Sequence, residues 1–516
     1  MPNLSDFRAF LRKNAIYMFL IAVAMGCIFR YTPDHDVYHH LTLGRYIVEN
    51  HAIPKTNPFV IHDGFKMVTQ EVGSGLFIYL FYTLFGRLGL YAVGLVNYAI
   101  AAIGAIALSR QFTESKDKAV LIGLLLATAT ATTGRISIRP FGLDICLIGC
   151  MLAVARKSEA TRDWTLMLKF APVISVVMAM FHTSMWLFIV CAYCLVFVPR
   201  RIDDIDELKA DIAKHKGYWL KVIAVFFLVI ATGFVNPNGL DGVLFLFRAY
   251  GVANSLPIAE LQTTHLSYPD GILYIALVVV FSHYILTAAF RKEKRFELPE
   301  FLLAICLMGI GGMCSRNIIF AVIGMVSVVT IMFPDELSAK LHNGILLDMG
   351  NHKRLEVFVA DYAAPTVLVG VIVCVIWMYI SGYGWINEFE ASDSYREPLG
   401  AVAYLDEYAE SHGGNKDSVR LFNEFNTGSF LQYHGYKTYF NPQPELYAKA
   451  INGKEDVYLE YIDLRNGKLD YQEFIDKYEF THILVETNTT YSVCLDMTDG
   501  YEKVWSSDDY VLFQRG

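Results

Sequence analysis

The run AIYMFLIAVAMGCIFRY, residues 15–31, contains a single charged side chain, Arg30, and the polar stretch TPDHDVYHHL, residues 32–41, follows it directly. An apolar run of this length can cross the hydrocarbon core of a bilayer as one helix. The basic segment before it resembles the start of a signal peptide, but no small-residue cleavage site follows. We therefore interpret residues 15–31 as an uncleaved first transmembrane helix.

Comparable apolar runs recur as far as residue 382, and the 516-residue chain is 54% hydrophobic and 18% charged. This composition is too apolar for an ordinary soluble enzyme. The fold class predicted is a polytopic α-helical membrane protein with about 11 transmembrane helices and a C-terminal soluble α/β domain. The predicted spans are 15–31, 88–109, 118–133, 141–155, 169–181, 183–199, 219–235, 271–290, 299–314, 317–333 and 358–382.

The predicted domains are a transmembrane domain, residues 1–382, and an extracytoplasmic α/β domain, residues 383–516. The outer first loop, 32–87, is expected to carry interfacial helices, one near His40–Ile47 and one over Gly73–Leu90. In the soluble domain the pattern predicts alternating helices and strands and a final hairpin that turns at residues 506–509. Tyr433, Tyr439 and Tyr447 are either strand core residues or rings that stack on sugars.

Charge distribution predicts the sidedness of the membrane domain. With the N-terminus in the cytoplasm, the cytoplasmic side holds 23 Lys and Arg and the opposite side 9, apart from 11 in the C-terminal domain. This bias follows the positive-inside rule, and eleven crossings then place the C-terminal domain outside. The net charge of −8 argues against a nucleic-acid partner, because nucleic acid requires a basic surface.

Polar residues that are unusual in or beside apolar segments fall almost entirely on the outer side of this topology. Such groups are costly near hydrocarbon and usually mark a cavity or pathway, although snorkelling or helix capping can explain any one of them. We expect them to line one outer cavity. They are Asp34, Asp36, His39, His40, Glu71, Arg139, His182, Asn236, Glu260 and Arg316.

The first outer loop contains the densest group of reactive side chains. Asp36 and His40 are four residues apart, so they share a face if a helix begins that early. A carboxylate at the membrane surface has a raised pKa and can act as a general base, while the alternative for Asp34 or Asp36 is an N-cap. A divalent metal is possible on Asp34, Asp36, His39 and His40, although their spacing matches no closed structural site and no cofactor is certain.

The run DVYHHLTLGRYIVENHAIPKTNPF, residues 36–59, resembles the first outer loop of bacterial membrane proteins related to the GT-C glycosyltransferases, within the superfamily of dolichyl-phosphate-mannose-protein mannosyltransferases. In those proteins an Asp and aromatic residues precede His-Leu, a Gly and the turn Ile-Pro-x-Thr-x-Pro-Phe. Here His39 stands where an aromatic residue is usual. Weaker matching pieces follow in order: Gln70-Glu71, Arg139-Pro140-Phe141, His182 (with Thr183 in place of Gly), Asn236-Pro237-x-Gly239, Ile258-x-Glu260, Arg316-Asn317, Phe422-Asn423 to Gly428, and Asn441 to Tyr447.

The resemblance implies a GT-C fold, a polyprenyl-phosphate-sugar donor and an extracytoplasmic glycan or other cell-envelope acceptor. By this likeness Asp36 is the general base of an inverting transfer, with His40 and Glu71 in the same catalytic group. Arg139, Arg316 and His182 are candidates for binding the donor phosphate, and the alternative for the arginines is pairing with Glu71 or Glu260. Glu260 and Asn236 are candidates for acceptor contact or structural support, and Asn236-Pro237-Asn238-Gly239 is most simply a turn that closes a helix.

Two other functions remain open from the sequence. A transporter or flippase of lipid-linked glycans needs a pathway to both faces, whereas the unusual polar residues crowd one side and no inverted repeat is evident. A non-catalytic GT-C-like scaffold subunit would not need Asp36, Glu71 and two arginines. The sequence identifies neither the sugar nor the acceptor.

Overall fold

The computed structural model describes residues 4–30, 36–199, 204–253, 264, 269–291, 297–342, 364–381, 389, 393, 397–498 and 500–516. Helices dominate as far as residue 381. They are α1 (Leu4–Arg30), α2 (Asp36–Asn50), α3 (Val72–Phe85), α4 (Arg87–Ser109), α5 (Lys116–Thr132), α6 (Phe141–Thr161), α7 (Trp164–Phe181), α8 (Trp186–Cys194), α9 (Ile205–Lys214), α10 (Lys216–Gly233), α11 (Leu240–Ala253), α12 (Pro269–Arg291), α13 (Leu298–Met313), α14 (Ile318–Met332), α15 (Asp335–His342) and α16 (Ala364–Ser381).

The C-terminal segment combines short helices with strands. The helices are α17 (Leu399–Ser411), α18 (Gly428–Tyr433), α19 (Lys449–Asn452), α20 (Val457–Arg465), α21 (Tyr471–Tyr478) and α22 (Thr490–Asp496). The strands are β1 (Leu421–Asn423), β2 (His482–Glu486), β3 (Tyr501–Ser506) and β4 (Tyr510–Arg515).

Each predicted span overlaps a helix among the described residues, although the span 183–199 contains only the nine-residue α8 between two short 3₁₀ turns. Among the residues that the structure describes, five helical segments are long and apolar enough to cross a membrane on their own: Arg87–Ser109, Trp164–Phe181, Lys216–Gly233, Pro269–Thr287 and Ser315–Met332. Shorter apolar helices cover Lys13–Phe29, Val72–Phe85, Thr183–Phe197, Leu298–Met313 and Thr366–Ser381. The chain is therefore a helical membrane protein with a small C-terminal sheet, and the total of about 11 crossings stays a prediction.

The chain forms two compact units. Unit 1 consists of residues 1–32, 91–236 and 257–383, and unit 2 consists of residues 33–90, 237–256 and 384–516. Unit 1 contains the long apolar helices. Unit 2 joins the first outer loop and α11 to the C-terminal segment, so the loop folds with the part of the chain farthest from it in sequence.

The sheet of unit 2 has the strand order β1-β2-β4-β3. β1 and β2 are parallel, with Asn423 opposite Leu484, while β2 pairs with β4 and β4 with β3 in antiparallel fashion. The predicted mixed sheet, its flanking helices and the final hairpin are confirmed. Tyr439 and Tyr447 are fully buried, so stacking of these two rings on a sugar is wrong.

The first outer loop extends this sheet beyond β1. Thr438 bridges Leu421 on one side and Val60 on the other, both in parallel orientation. The Ile61 amide donates to the Thr438 carbonyl at 3.0 Å, and the Thr438 amide donates to the Phe59 carbonyl at 3.1 Å. These main-chain bonds satisfy backbone groups that would otherwise lie at an open sheet edge.

Two helix predictions in the loop need correction. α2 starts at Asp36 and ends at Asn50, longer than the predicted His40–Ile47, and Pro54 follows the positive-φ turn at His51. The second helix ends at Phe85, where Gly86 adopts φ of 58°, and α4 begins at Arg87. The predicted Gly73–Leu90 helix is thus two helices separated at the glycine.

Candidate active site

In unit 2, Asp36 opens α2, and it is one of three polar residues on one face of that helix. Asp36, His39 and His40 are spaced i, i+3 and i+4, and their exposed fractions are 8%, 3% and 0%. The early start of α2 confirms the condition under which Asp36 and His40 share a face. Asp36 lies in the first turn of α2, where the positive end of the helix dipole is located.

His40 lies close to the acid that precedes α3. Its Nε2 lies 3.2 Å from Glu71 Oε2, and the Glu71 side chain is 15% exposed. The close approach of α2 and α3 makes this pair possible, because a Cβ on Gly44 would lie 2.5 Å from the Gly75 carbonyl oxygen and 2.4 Å from the Tyr79 Cβ. Only glycine fits at position 44 without moving the two helices apart.

Burial also decides the charge of His39. It lowers the pKa of His39 to about 3, with a further lowering by His40 and an opposing effect of Glu71. His39 is therefore neutral near pH 7, and its ring centroid is 5.9 Å from that of His40. This face of α2 thus presents the carboxyl group of Asp36 and two imidazoles. The His39 imidazole is neutral.

In unit 1, the segment Ser137–Phe141 holds the first predicted phosphate ligand. Arg139 is 7% exposed, and its carbonyl accepts a hydrogen bond from Asn97 Nδ2 at 3.1 Å. The same amide donates to Ser137 O at 2.9 Å. Asn97 of α4 therefore fixes the backbone that leads into α6, and the guanidinium is placed on a rigid segment.

A buried acid that sequence reasoning missed lies one turn further along α6. Asp144 is fully buried, and its Oδ2 lies 2.8 Å from Nδ1 of His182, which is 2% exposed. His182 ends α7 in an extended backbone conformation before the turn Thr183–Met185. An aspartate within the apolar sequence FGLDICL was the signal that could have identified it, since a carboxylate in such a helix needs a partner.

The third cationic candidate also lies near this pair. The Arg316 guanidinium carbon is 6.0 Å from the centroid of the Phe141 ring, and that ring is 5.9 Å from the His182 ring. Arg316 sits in the short turn Ser315–Asn317 between α13 and α14. Unit 1 therefore brings His182 and Arg316 beside Phe141, and Arg139 precedes that phenylalanine by two positions in the chain.

The remaining predicted residues lie elsewhere or outside the described part of the chain. Asn236 is buried in the turn after α10, where its Nδ2 donates to the Gly233 carbonyl at 2.8 Å. Asn238 donates to the Thr69 carbonyl at 2.5 Å, and Gly239 has a φ of 54°. The sequence Asn236–Gly239 is thus the predicted helix-closing turn. Asp34 and Glu260 lie outside the described residues.

The same side chains were candidates for the ligands of a metal ion. Within the residues that the structure describes, no group of three or more His, Cys, Asp or Glu side chains is arranged to hold a metal ion. Asp34 and His35 lie outside those residues, so the proposed set is only partly described.

Known structures share the architecture of this chain. The oligosaccharyltransferase AglB from the archaeon Archaeoglobus fulgidus, in complex with an inhibitory peptide and a dolichol-phosphate, superposes with a TM-score of 0.51 at 14% identity, over 92% of this chain and 69% of that one. The apo form of the Archaeoglobus fulgidus oligosaccharyltransferase gives 0.52 at 12% identity over the same shares. The fold is that of a GT-C glycosyltransferase.

This finding confirms the GT-C resemblance predicted from the sequence, at the level of the fold. ArnT from Cupriavidus metallidurans in the apo state also matches, with a TM-score of 0.46 at 15% identity, over 97% of this chain and 96% of that one. No family model matches the sequence. No curated protein matches it either. At these identities the likeness establishes the GT-C fold, and the activity must be argued from the residues.

Proposed function

We propose that this protein is a membrane glycosyltransferase that moves a sugar from a polyprenyl-phosphate-linked donor to an extracytoplasmic acceptor, with Asp36 as the general base. The observation that carries the proposal is the buried face of α2 formed by Asp36, His39 and His40, called the acidic face below. On this face Asp36 lies one turn from the His40–Glu71 pair, in a chain with a GT-C fold. Perturbed, buried titratable groups in such a cluster are typical of active sites.

The proposed reaction is a single displacement. The acceptor hydroxyl oxygen bonds to C1 of the donor sugar while the bond from C1 to the phosphate oxygen breaks. The hydroxyl proton passes to Asp36, and the polyprenyl phosphate leaves with the electron pair of the broken bond. Attack from the face opposite the phosphate inverts the configuration at C1, and a positioned general base contributes about 10²–10⁴-fold to such a step.

His40 and Glu71 support the base by position. His40 is fully buried and reaches Glu71, so its role is to hold the partly exposed Glu71 carboxylate in place. Glu71 can then accept a hydrogen bond from a second acceptor hydroxyl. The close packing of α2 and α3 at Gly44 keeps His40 and Glu71 within reach of each other.

The donor phosphate is assigned in the proposal to unit 1. Arg139 and Arg316 carry planar guanidinium groups, which bind phosphate oxygens in a bidentate manner. His182 contributes a third donor, and Asp144 fixes its orientation by accepting from Nδ1.

The membrane orientation belongs to the same proposal. The charge bias of the loops supports a cytoplasmic N-terminus, eleven crossings and an outer C-terminal domain. Protease added to intact cells then cleaves the C-terminal segment, with an N-terminal tag protected. Cleavage only after cell lysis would overturn the orientation.

The direct test of activity is donor consumption. Purified full-length protein in lipid nanodiscs is incubated with a panel of polyprenyl-phosphate-linked hexoses and N-acetylhexosamines, together with the host's envelope fraction as acceptor. We expect release of polyprenyl phosphate and incorporation of label into the envelope fraction. Movement of intact donor across the bilayer of liposomes, without release of polyprenyl phosphate, would instead establish a flippase and contradict the proposal.

A further inference from the structure

A cavity lies in unit 2, on the side of α2 that faces the C-terminal segment. It has a volume of about 240 Å³. Residues of α2, of the loop after it and of the segment around α18 line it. The side chains used below are Thr42, Arg45, Tyr46, Glu49, Asp417 and Lys437.

This cavity is distinct from the acidic face of α2. Thr42, Arg45 and Glu49 follow one another at spacings of three and four residues, so they share a helical face. That face is turned well away from Asp36 and His40 at 100° per residue. The contacts agree, because Arg45 reaches α18 through the Tyr433 carbonyl at 2.5 Å, whereas His40 reaches Glu71 beside α3.

The charges that line the cavity balance. Arg45 and Lys437 are cationic, and Glu49 and Asp417 are acidic. Lys437 Nζ lies 2.9 Å from Asp417 Oδ1. A free phosphate or another anion would meet as many carboxylates as cations here, so the chemistry favours a neutral ligand with many hydroxyl groups, each able to donate to a carboxylate and accept from a cation.

One hydroxyl on the wall lacks a partner. Thr42 is 3% exposed, and within the described part of the chain its Oγ1 has no hydrogen-bond partner. An unmet buried hydroxyl is costly unless a ligand or water satisfies it. The same wall carries the ring of Tyr46, packed edge-to-face with Phe59 at 5.5 Å between centroids, which offers a flat apolar surface beside the polar groups.

We propose that this cavity is a saccharide-binding site that holds one neutral sugar unit apart from the reacting hydroxyl. Planar carboxylate and guanidinium groups around an aromatic ring match the hydroxyl edges and the C–H face of a pyranose, and few precisely placed polar groups in a concave site set its orientation. The inference rests on the proposed function only in identifying that unit as part of the acceptor glycan.

The test is saturation-transfer NMR on the intact chain in detergent micelles. The probes are free glucose, galactose, mannose and N-acetylglucosamine, with glycine and inorganic phosphate as non-saccharide probes. We expect at least one sugar to receive saturation, and the double variant Thr42→Val with Glu49→Gln to raise its Kd about tenfold or more through the loss of one neutral and one charged hydrogen bond. Thr56→Val with Glu473→Gln, on exposed positions of the same unit, should leave the Kd unchanged.

Thermal unfolding of each variant confirms that the fold is kept. If no sugar binds, if only glycine or phosphate binds, or if the folded double variant binds sugar as the wild type does, the proposal is overturned. Asp36→Asn should bind the same sugar with unchanged Kd. Binding measured in this way does not depend on transfer, so loss of the glycosyltransferase proposal and loss of the saccharide site give different results.

Discussion

His40 and Glu71 meet across the junction of two helices, with the imidazole Nε2 3.2 Å from the carboxylate Oε2. The two residues are far apart in the loop sequence, and the pair exists because α2 and α3 pack against each other through Gly44 and Gly75. The carboxylate of Glu71 is the exposed partner and the imidazole is the buried one. The arrangement therefore presents a fixed acid on the side where Asp36 begins α2.

The first prediction concerns this helix contact. Gly44→Val places a branched side chain where a single Cβ already lies 2.5 Å from the Gly75 carbonyl oxygen. We expect a loss of about 1–3 kcal/mol of stability from overpacking and the loss of the His40–Glu71 pair. Thermal unfolding measures the loss. Gly26→Val is the matched control, since a Cβ at that position meets nothing within 4 Å. Equal unfolding temperatures for the two variants would contradict the packing argument.

The second prediction concerns the buried pair of unit 1. If Asp144 acts through His182, then Asp144→Asn and His182→Ala each weaken binding of polyprenyl phosphate, and the double variant is no weaker than the worse single variant. We expect about a tenfold effect for each, since Asn can no longer fix the Nδ1–H tautomer. Native mass spectrometry of the protein with undecaprenyl phosphate measures the affinity. Fully additive effects would show that the two residues act separately.

The third prediction concerns the donor phosphate. Arg139→Ala removes one guanidinium from the proposed donor site. We expect a 10- to 100-fold weaker affinity for undecaprenyl phosphate from the loss of a charge-assisted contact, about 1.5–3 kcal/mol. Arg248→Ala serves as the control, because that arginine pairs with Asp241 in the exposed part of unit 2. An unchanged affinity in folded Arg139→Ala protein would remove Arg139 from the donor site.

The fourth prediction concerns pH and stability in unit 2. Burial raises the pKa of Glu424 to about 7, against the hydrogen bond from Tyr461 and the nearby Arg465, which lower it. A carboxyl with a raised pKa in the folded state contributes stability below its unfolded pKa of 4.5, and this contribution is lost as pH rises toward 7. We expect the unfolding temperature to fall over that window in the wild type and to fall less in Glu424→Gln.

The comparison is made between the wild type, Glu424→Gln and Glu502→Gln, which alters an exposed strand residue. The Glu502 variant should follow the wild-type pH dependence. Identical pH dependence in all three proteins would show that Glu424 keeps an ordinary pKa in its buried position.

Much of the fold follows from periodicity and length. Each apolar run predicted as a span overlaps a helix among the described residues, and the pattern of residues 501–515 predicts the β3–β4 hairpin. Local turn residues also mark where helices end. Gly86 separates α3 from α4, and Asn236–Gly239 closes α10, with a positive φ at both glycines. The short helices α20 and α22 were not predicted, since they lie in charged or polar sequence with little periodicity.

The site was predictable only in part. Asp36 and His40 are four residues apart, so helix geometry alone places them on one face. The His40–Glu71 and Asp144–His182 pairs depend on which helices pack together, and a single sequence does not contain that information. The joining of the first loop to the C-terminal sheet through Thr438 is likewise a long-range backbone contact that no local pattern indicates.

In the proposed reaction the carboxylate of Asp36 takes the proton of the acceptor hydroxyl. The most direct test of this role is the single-turnover rate of sugar transfer by Asp36→Asn, with undecaprenyl phosphate affinity measured on the same preparation and Asp63→Asn, an exposed aspartate of the same loop, as control. We expect a rate lower by about 10²–10⁴-fold with donor affinity unchanged, and a normal rate for the control. A transfer rate within a factor of about three of the wild type in Asp36→Asn, far smaller than the loss of a general base requires, would contradict it.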